Sequence, residues 1–189
     1  MNNYKEDISN SLKVLSAGGI ILYPSDTIWG IGCDATNELA IKKISHLKKR
    51  EEKKSMIILL AHENDISQYV SSPSKKIMVF ISKQLMPTTA IFENAINLPG
   101  ELINVDGSIA IRIVRDRFCQ QLIKEFKKPL ISTSANISGN NYPRNFNDTT
   151  EEIKNGVDYI VQHRKNDLNV YQPSSIIKLN SDGKIEILR

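Results

Sequence analysis

Cysteine is scarce in this chain, because only Cys33 and Cys119 occur among its 189 residues. The two lie far apart in the sequence and form no metal-binding spacing. Neither a disulfide framework nor a cysteine metal site is therefore expected. Two reduced thiols, each packed as a small apolar side chain, suit a cytoplasmic protein.

Long hydrophobic runs are also missing. The longest candidates, residues 20–22 and 56–61, are much shorter than the roughly 20 residues that cross a bilayer. Residues 1–7 are polar and acidic, whereas a secretory signal needs a basic start and then an apolar run. We therefore expect neither a membrane segment nor export.

Linker-like composition is absent as well, since no segment is rich in proline, glycine and serine or repetitive. The hydrophobic share of 40% and the charged share of 24% are typical of globular proteins. One domain spanning residues 1–189 is expected. The formal net charge of +4 suits anionic ligands such as nucleotides or RNA, although many proteins without such ligands share it.

The common nucleotide and metal motifs do not occur. There is no P-loop, and Gly30-Ile31-Gly32 is too short for a dinucleotide fingerprint. His46, His62 and His163 have neither metal-like spacing nor an evident triad partner, so they are expected to be surface or packing residues. No metal site built from protein side chains and no covalent enzyme intermediate are expected.

Hydrophobic periodicity predicts alternating helices and strands. Ile8, Leu12 and Leu15 indicate an opening helix, and residues 180–183 are typical of a hairpin turn. Further helices are predicted over 40–47, 62–70, 73–85, 118–126 and 149–155, and strands over 20–23, 56–60, 108–113, 129–132, 157–161, 175–179 and 184–188. This order predicts an α/β domain with a mixed sheet.

Polar residues at the ends of these elements are the candidates for chemistry. Lys48 and Arg50 form either a solvated charge run or, if the second helix frays at Arg50, a pair that reaches one ligand. Ser132, Ser134 and Asn136 would share one face of an extended chain and could hold phosphate or ribose oxygens; an ordinary capping loop is the alternative. Arg112 alternates onto the face opposite its isoleucine neighbours, where it is either exposed or directed into a cleft.

A longer pattern resembles a known family. Residues 19–35, GIILYPSDTIWGIGCDA, closely resemble the opening motif of the YrdC/Sua5 family, the threonylcarbamoyl-AMP synthases. The resemblance continues in order through Lys48-x-Arg50, Lys54-Ser55, residues 108–112, residues 132–139 and Pro173-Ser174-Ser175. Each string is weak alone, but the ordered set is specific. The chain is similar to the short, single-domain form, because the C-terminal domain of longer members is absent.

The resemblance implies a twisted open mixed β-sheet with flanking helices and a concave basic cavity. It also implies that L-threonine, bicarbonate and ATP give threonylcarbamoyl-adenylate and pyrophosphate, with Mg²⁺ carried by ATP. This reaction is the first step of threonylcarbamoylation of adenosine 37 in tRNAs that read ANN codons, so tRNA and transferase proteins are implied partners.

The resemblance also implies roles for individual residues. Contacts to ATP are implied for Lys48, Arg50, Lys54, Ser108, Ser134, Tyr142 and Arg189, and contacts to threonine or its carbamate for Thr27, Arg112, Ser132 and Ser174. Negative charge moves onto phosphate oxygens in such a reaction, so Lys48 and Arg50 would stabilise it while Ser134 and Asn136 fix the geometry.

Two other functions stay open at this point. One is a non-catalytic module that binds double-stranded RNA or tRNA, with salt-sensitive affinity and no response to ATP. The other is a paralogue with a different nucleotide-linked substrate. Departures from the family pattern favour the paralogue: Glu51 replaces a proline, Lys54-Ser55-Met56 replaces Asn-Pro-Leu, and Met86-Pro87-Thr88 stands in a Pro-Gly-Pro segment.

Overall fold

The computed structural model describes residues 4–50 and 56–189, which place helices on both faces of a mixed β-sheet. The α-helices are α1 (Lys5–Ser16), α2 (Glu38–Leu47), α3 (Lys75–Lys83), α4 (Arg117–Phe126) and α5 (Glu151–Asn155). The strands are β1 (Ile21–Tyr23), β2 (Gly30–Gly32), β3 (Ile57–Leu60), β4 (Thr88–Phe92), β5 (Ile109–Ile113), β6 (Leu130–Ser134), β7 (Tyr159–Ile160), β8 (Ser175–Leu179) and β9 (Ile185–Ile187). Short 3-10 helices cover Glu63–Gln68, Gly100–Leu102 and Phe146–Asp148.

The strands lie in the order β7-β1-β2-β6-β3-β5-β4-β8-β9. Three neighbouring pairs, β1 with β7, β3 with β5 and β4 with β8, are parallel, and the remaining pairs are antiparallel. In this register Arg112 of β5 stands between Leu59 of β3 and Thr89 of β4. The predicted α/β fold with a twisted mixed sheet is confirmed.

The two faces of the sheet are covered unequally. One face, with Ile58, Ile111 and Ile131, packs against α2, α3 and α5. Because side chains alternate along a strand, Leu59 and Leu130 point to the other face, where they pack against α1 and α4. The helices cover only part of that second face. The uncovered part forms the floor of a cleft.

Local sequence explains where the helices beside this cleft begin. The Asn37 side chain accepts a hydrogen bond from the backbone N–H of Ala40 and caps α2. Asp116 caps α4 in the same way, accepting from the N–H of Cys119. Each cap satisfies a helical N–H that would otherwise lack a partner.

Two strands were not expected from the sequence. Glycine weakens strand propensity, so Gly-Ile-Gly gives no strand signal for β2; pairing with β1 and β6 overrides that preference. β4 lies where no strand was predicted and pairs with β5 and β8. Among the described residues, no helix has the length and hydrophobicity needed to cross a bilayer.

Candidate active site

A cleft of about 420 Å³ opens above the uncovered part of the sheet. Its lining among the described residues includes three arginines and neither an aspartate nor a glutamate. An anionic ligand is therefore favoured over a cationic one. Nine of the residues singled out from the sequence line it: Thr27, Arg50, Arg112, Ser132, Ser134, Asn136, Tyr142, Ser174 and Arg189.

Arg112 and Thr27 form a buried group at the cleft, with 3% and 4% of their surfaces exposed. Arg112 Nη1 donates to Thr27 Oγ1 at 3.1 Å. Its Nη2 lies 3.4 Å from Ser25 Oγ and 3.2 Å from Asp26 Oδ1. Of the two orientations considered for Arg112, the structure has the one directed into the cleft.

The Arg112 guanidinium is not fully used by these contacts. Its Nε is buried and has no hydrogen-bond partner within residues 4–50 and 56–189. Leaving a buried donor unpaired costs about 1–3 kcal/mol. A buried cation that lines the cleft favours an acidic ligand at this point.

β6 and the turn after it supply a polar strip along the cleft. Ser132 and Ser134 alternate onto the cleft face, and Asn136 follows where the chain turns. The turn is fixed by two bonds, from Ala135 N to Trp29 O at 3.1 Å and from Asn136 N to Ser134 O at 2.9 Å. Two hydroxyls therefore line the cleft in a row, followed by the Asn136 amide, whose Nδ2 donates to the Asn140 carbonyl oxygen at 2.6 Å.

Lys48 supports this strip from behind. It is 1% exposed and is not among the residues that line the cleft. Its Nζ donates to the carbonyl oxygens of Ser134 and Asn136 and lies 3.3 Å from Asn136 Oδ1. Burial, together with the charge of Arg50, lowers the pKa of Lys48 to about 7, whereas its oxygen partners favour the ammonium form. In this structure Lys48 acts on the turn that carries Ser134 and Asn136.

Arg50 reaches the cleft because α2 ends before it. The helix stops at Leu47, and Lys49 adopts a left-handed conformation with φ of 49°. Arg50 Nη1 lies 3.4 Å from Thr133 Oγ1 on the neighbouring strand. Burial lowers the pKa of Arg50, which still remains a cation. Because the helix ends before Arg50, Lys48 and Arg50 no longer point to opposite sides of one helix. Both side chains can therefore act at the same site, Lys48 from behind the turn and Arg50 from the cleft.

The far side of the cleft comes from the C-terminal part of the chain. Ser174 Oγ is 2.8 Å from Thr89 Oγ1, next to Arg112 in the sheet. Arg189 Nε donates to the carbonyl oxygen of Ser174 at 3.1 Å. Burial and the charge of Arg112 lower the pKa of Arg189. Tyr142, 38% exposed, bonds through its hydroxyl to Gln172 at 3.1 Å.

Ser108 was also singled out from the sequence, but it does not line this cleft. Ser108 is buried, bonds to Asp106 Oδ1 at 2.6 Å and lines a separate hollow. Lys54 lies outside the described residues, as do Glu51 and Ser55. The ATP contacts of Lys48, Lys54 and Ser108 stay predictions.

Sequence reasoning did not single out Ser25, Asp26 or Thr89. The first two lie inside the 19–35 motif, so their position beside Thr27 was a signal that could have been used. Thr89 lies in a strand that the sequence did not predict. Its position beside the cleft follows from its pairing opposite Arg112 in the sheet.

No group of three or more His, Cys, Asp and Glu residues that could hold a metal occurs in the described part of the chain. Cys33 and Cys119 are free and buried, and burial raises the pKa of both thiols. Burial also lowers the pKa of His163.

Comparison with known proteins gives a family match. The model of the Sua5/YciO/YrdC family, described as "Telomere recombination", matches residues 13–189. A protein of Pseudoalteromonas translucida named threonylcarbamoyl-AMP synthase is 29% identical over 181 residues, which cover 94% of this chain and 95% of that protein. A Methanocaldococcus jannaschii protein named putative threonylcarbamoyl-AMP synthase is 34% identical over 178 residues, covering 93% and 81%.

The fold also matches solved structures. The crystal structure of P. abyssi Sua5 complexed with L-threonine superposes with a TM-score of 0.86 at 19% identity. The match covers 98% of this chain and 54% of that one, so this chain spans about half of the P. abyssi protein. At this identity the likeness establishes the fold alone.

Proposed function

Since this chain belongs to the Sua5/YciO/YrdC family, we propose that it is a threonylcarbamoyl-AMP synthase that joins L-threonine, bicarbonate and ATP for tRNA modification. Relatives named threonylcarbamoyl-AMP synthase or putative threonylcarbamoyl-AMP synthase align over 95% and 81% of their length, which favours catalysis over an RNA-binding module without activity. We also propose a cytoplasmic location, where ATP and tRNA are available and free cysteines stay reduced.

The observation that carries the proposal is the pairing of two kinds of group in one cleft. Arg112, a buried guanidinium at the cleft, offers a cation for a small carboxylate. Arg50 and Arg189 offer cationic donors for phosphate oxygens. A site that joins an amino acid to a nucleotide needs both.

The chemistry needs no protein nucleophile. The threonine amine and bicarbonate condense to an N-carboxylate with loss of water. A carboxylate oxygen then attacks the α-phosphorus of ATP, the new oxygen–phosphorus bond forms, and the bond to pyrophosphate breaks. Negative charge grows on phosphate oxygens in this step, so fixed cations and alignment supply the acceleration.

The threonine side of the site is assigned to four residues. Arg112 would bind the carboxylate of threonine or of the carbamate, while Ser132 and Ser174 donate to the same groups. Thr27 would lie against the amino-acid side chain. Its hydroxyl is already bonded to Arg112, which leaves the methyl group to face the ligand.

The nucleotide side is assigned to residues on loops and at element ends. Arg50, Ser134, Tyr142 and Arg189 would contact ATP, and Asn136 would help fix the phosphate geometry. Lys48 would stabilise the same turn from behind. ATP contacts by Lys54 and Ser108 also remain proposals.

Mg²⁺ would arrive with the ATP phosphates. The described cleft lining offers hydroxyl, amide and carbonyl oxygens but no Asp or Glu carboxylate, so the phosphates would be its main anionic ligands. When bound, the ion would neutralise charge on the leaving pyrophosphate.

The decisive experiment measures pyrophosphate release by the purified protein with ATP, threonine and bicarbonate omitted in turn. We expect release only when all three are present. Equal release without threonine or bicarbonate would contradict the assignment. If another amino acid supported pyrophosphate release in place of threonine, the protein would be a paralogue that performs the same reaction on a different amino acid.

A further inference from the structure

Residues 161–174, here called the strap, connect β7 to β8, two strands that run in the same direction, so the strap crosses one face of the sheet. Six strands separate β7 from β8, which at about 4.8 Å per strand spacing is a distance of about 34 Å. A fully extended chain of this length reaches about 46–50 Å. The strap is therefore long enough to cross these strands without being fully extended, and its contacts with the rest of the protein determine its path.

The first anchor lies on α1 and the last lies in the cleft. Asp7 accepts from the backbone N–H groups of Gln162 and His163 at 2.9 and 2.8 Å. At the other end Ser174 bonds to Thr89 and lines the cleft. The strap is thus part of the wall of the candidate site.

Arg164 anchors the strap between these points. Its backbone is left-handed, with φ of 60°, a conformation uncommon for a residue with a side chain. The guanidinium packs over the Tyr171 ring at 4.6 Å, and its Nε is 3.4 Å from Asp167 Oδ2. Arg164 thereby ties two parts of the strap to each other.

The same guanidinium holds the loop that carries Thr27. Arg164 Nη1 donates to the carbonyl oxygen of Ser25 at 2.9 Å and lies 3.5 Å from Asp116 Oδ2. Arg112 contacts the side chains of Ser25 and Thr27 as part of the cleft. One arginine of the cleft and one arginine of the strap therefore both bind the loop 25–27.

We propose that Arg164 is a positioning residue for the threonine side of the cleft: it couples the strap to the loop 25–27 and so fixes Thr27 and, through it, Arg112. The expected effect on threonine kinetics depends on the proposed function. The coupling between the strap and the loop 25–27 does not. Arg164 lines a neighbouring hollow with Asp116 and Tyr171, outside the cleft, so it does not touch the substrates.

The kinetic test compares Arg164→Ala and Arg164→Lys with the full-length protein. A positioning role predicts that the alanine variant loses about tenfold in kcat/KM for threonine, since one charge-assisted hydrogen bond is removed. The KM for ATP should change by less than about twofold. Lysine restores the charge but not the fork, and we expect it to recover part of the loss.

Arg117→Ala is the matched control, because Arg117 is exposed and lines the same hollow. It removes the same charge and should leave both kinetic parameters unchanged. Asp167→Asn provides a second, milder variant, because it weakens the ion pair that holds Arg164 in place. It should lower kcat/KM for threonine by less than Arg164→Ala does. Equal losses for threonine and ATP in the Arg164 variants, or an equal loss in Arg117→Ala, would overturn the positioning role.

Hydrogen exchange tests the coupling without substrates. The Thr27 N–H donates to Ser25 Oγ at 3.2 Å and reports on the loop. We expect faster exchange at residues 25–28 in Arg164→Ala than in the wild type and in Arg117→Ala. Unchanged exchange there would overturn the coupling. If the wild type released no pyrophosphate, the proposed function would fail, and this exchange result would still decide the coupling.

Discussion

The two groups of cleft residues, here called the amino-acid end and the nucleotide end after the ligands proposed for them, are built in different ways. At the amino-acid end, Thr27, Arg112, Ser132 and Ser174 are all buried. They lie on strands or directly beside them and bond to neighbouring protein groups. At the nucleotide end, Tyr142 and Arg189 are exposed and Arg50, Ser134 and Asn136 are half-buried, and all of them except Ser134 lie outside the strands.

This difference has a physical reason in the sizes of the proposed ligands. A small amino acid offers few contacts, so its site gains selectivity from groups that are held in place before binding. ATP is larger and offers many phosphate and ribose oxygens. Its site can tolerate side chains that become ordered only when the ligand binds, with part of the binding energy used for that ordering.

The largest expected effect comes from Arg112→Lys at the amino-acid end. Lysine keeps the charge but cannot contact Thr27, Asp26 and a ligand carboxylate with one planar fork. We expect kcat/KM for threonine to fall by about 100-fold, a loss comparable to one charge-assisted hydrogen bond at the strong end of its range. Steady-state pyrophosphate release, measured against threonine and against ATP, gives both constants.

Arg115→Lys is the control for this variant, because Arg115 is an exposed arginine just beyond the same strand. It should behave like the wild type. Arg112→Ala is a poorer test, since it would leave the Asp26 carboxylate without its cation and destabilise the fold. An equal loss for threonine and for ATP in Arg112→Lys would remove the distinction between the two ends.

The sequence predicted the amphipathic helices and most strands because their apolar spacing is regular. It failed at β2, where the two glycines leave room in the sheet: a Cβ at Gly32 would lie 2.6 Å from the Ile131 carbonyl oxygen. Such close approach is a tertiary requirement. No local pattern expresses it, so the sequence carries no signal for this strand.

The candidate site shows the same limit. Motif order indicated Thr27 and Arg112, but their contact joins residues 85 positions apart and depends on the strand register. Ser108 shows the reverse case, since its motif position is clear while its side chain bonds to Asp106 away from the cleft. No sequence pattern indicated a role for Arg164, because a lone arginine in a polar segment is usually a solvent-exposed side chain.

An intermediate effect is expected at the nucleotide end from Arg189→Ala. Among the described residues its guanidinium has one hydrogen bond, from Nε to the Ser174 carbonyl oxygen, and it lies near Arg112, so its remaining N–H groups suit phosphate oxygens. We expect kcat/KM for ATP to fall by about tenfold, as for one charge-assisted hydrogen bond. Isothermal titration with a non-hydrolysable ATP analogue provides an independent measure.

The control for Arg189→Ala is Lys178→Ala, which removes a cation from the same β8–β9 hairpin, where Lys178 pairs with Glu186. It should leave ATP kinetics unchanged. If Arg189→Ala kept its ATP constants within about twofold of wild type, Arg189 would be a cleft-lining residue without a nucleotide contact. The nucleotide end would then rest on Arg50.

The smallest effect, and the sharpest on selectivity, is expected from Thr27→Ser. Serine keeps the hydroxyl that binds Arg112 and Ser25, so only one methyl group is lost from a buried position. Such a group contributes about 0.8 kcal/mol, which corresponds to a fall of about fourfold in the preference for threonine over serine. Competition between the two amino acids in one assay measures this ratio directly. The KM for ATP should not change, because the deletion lies at the other end of the cleft. A changed ATP constant with unchanged amino-acid preference would place Thr27 beside the nucleotide and reverse the assignment of the two ends.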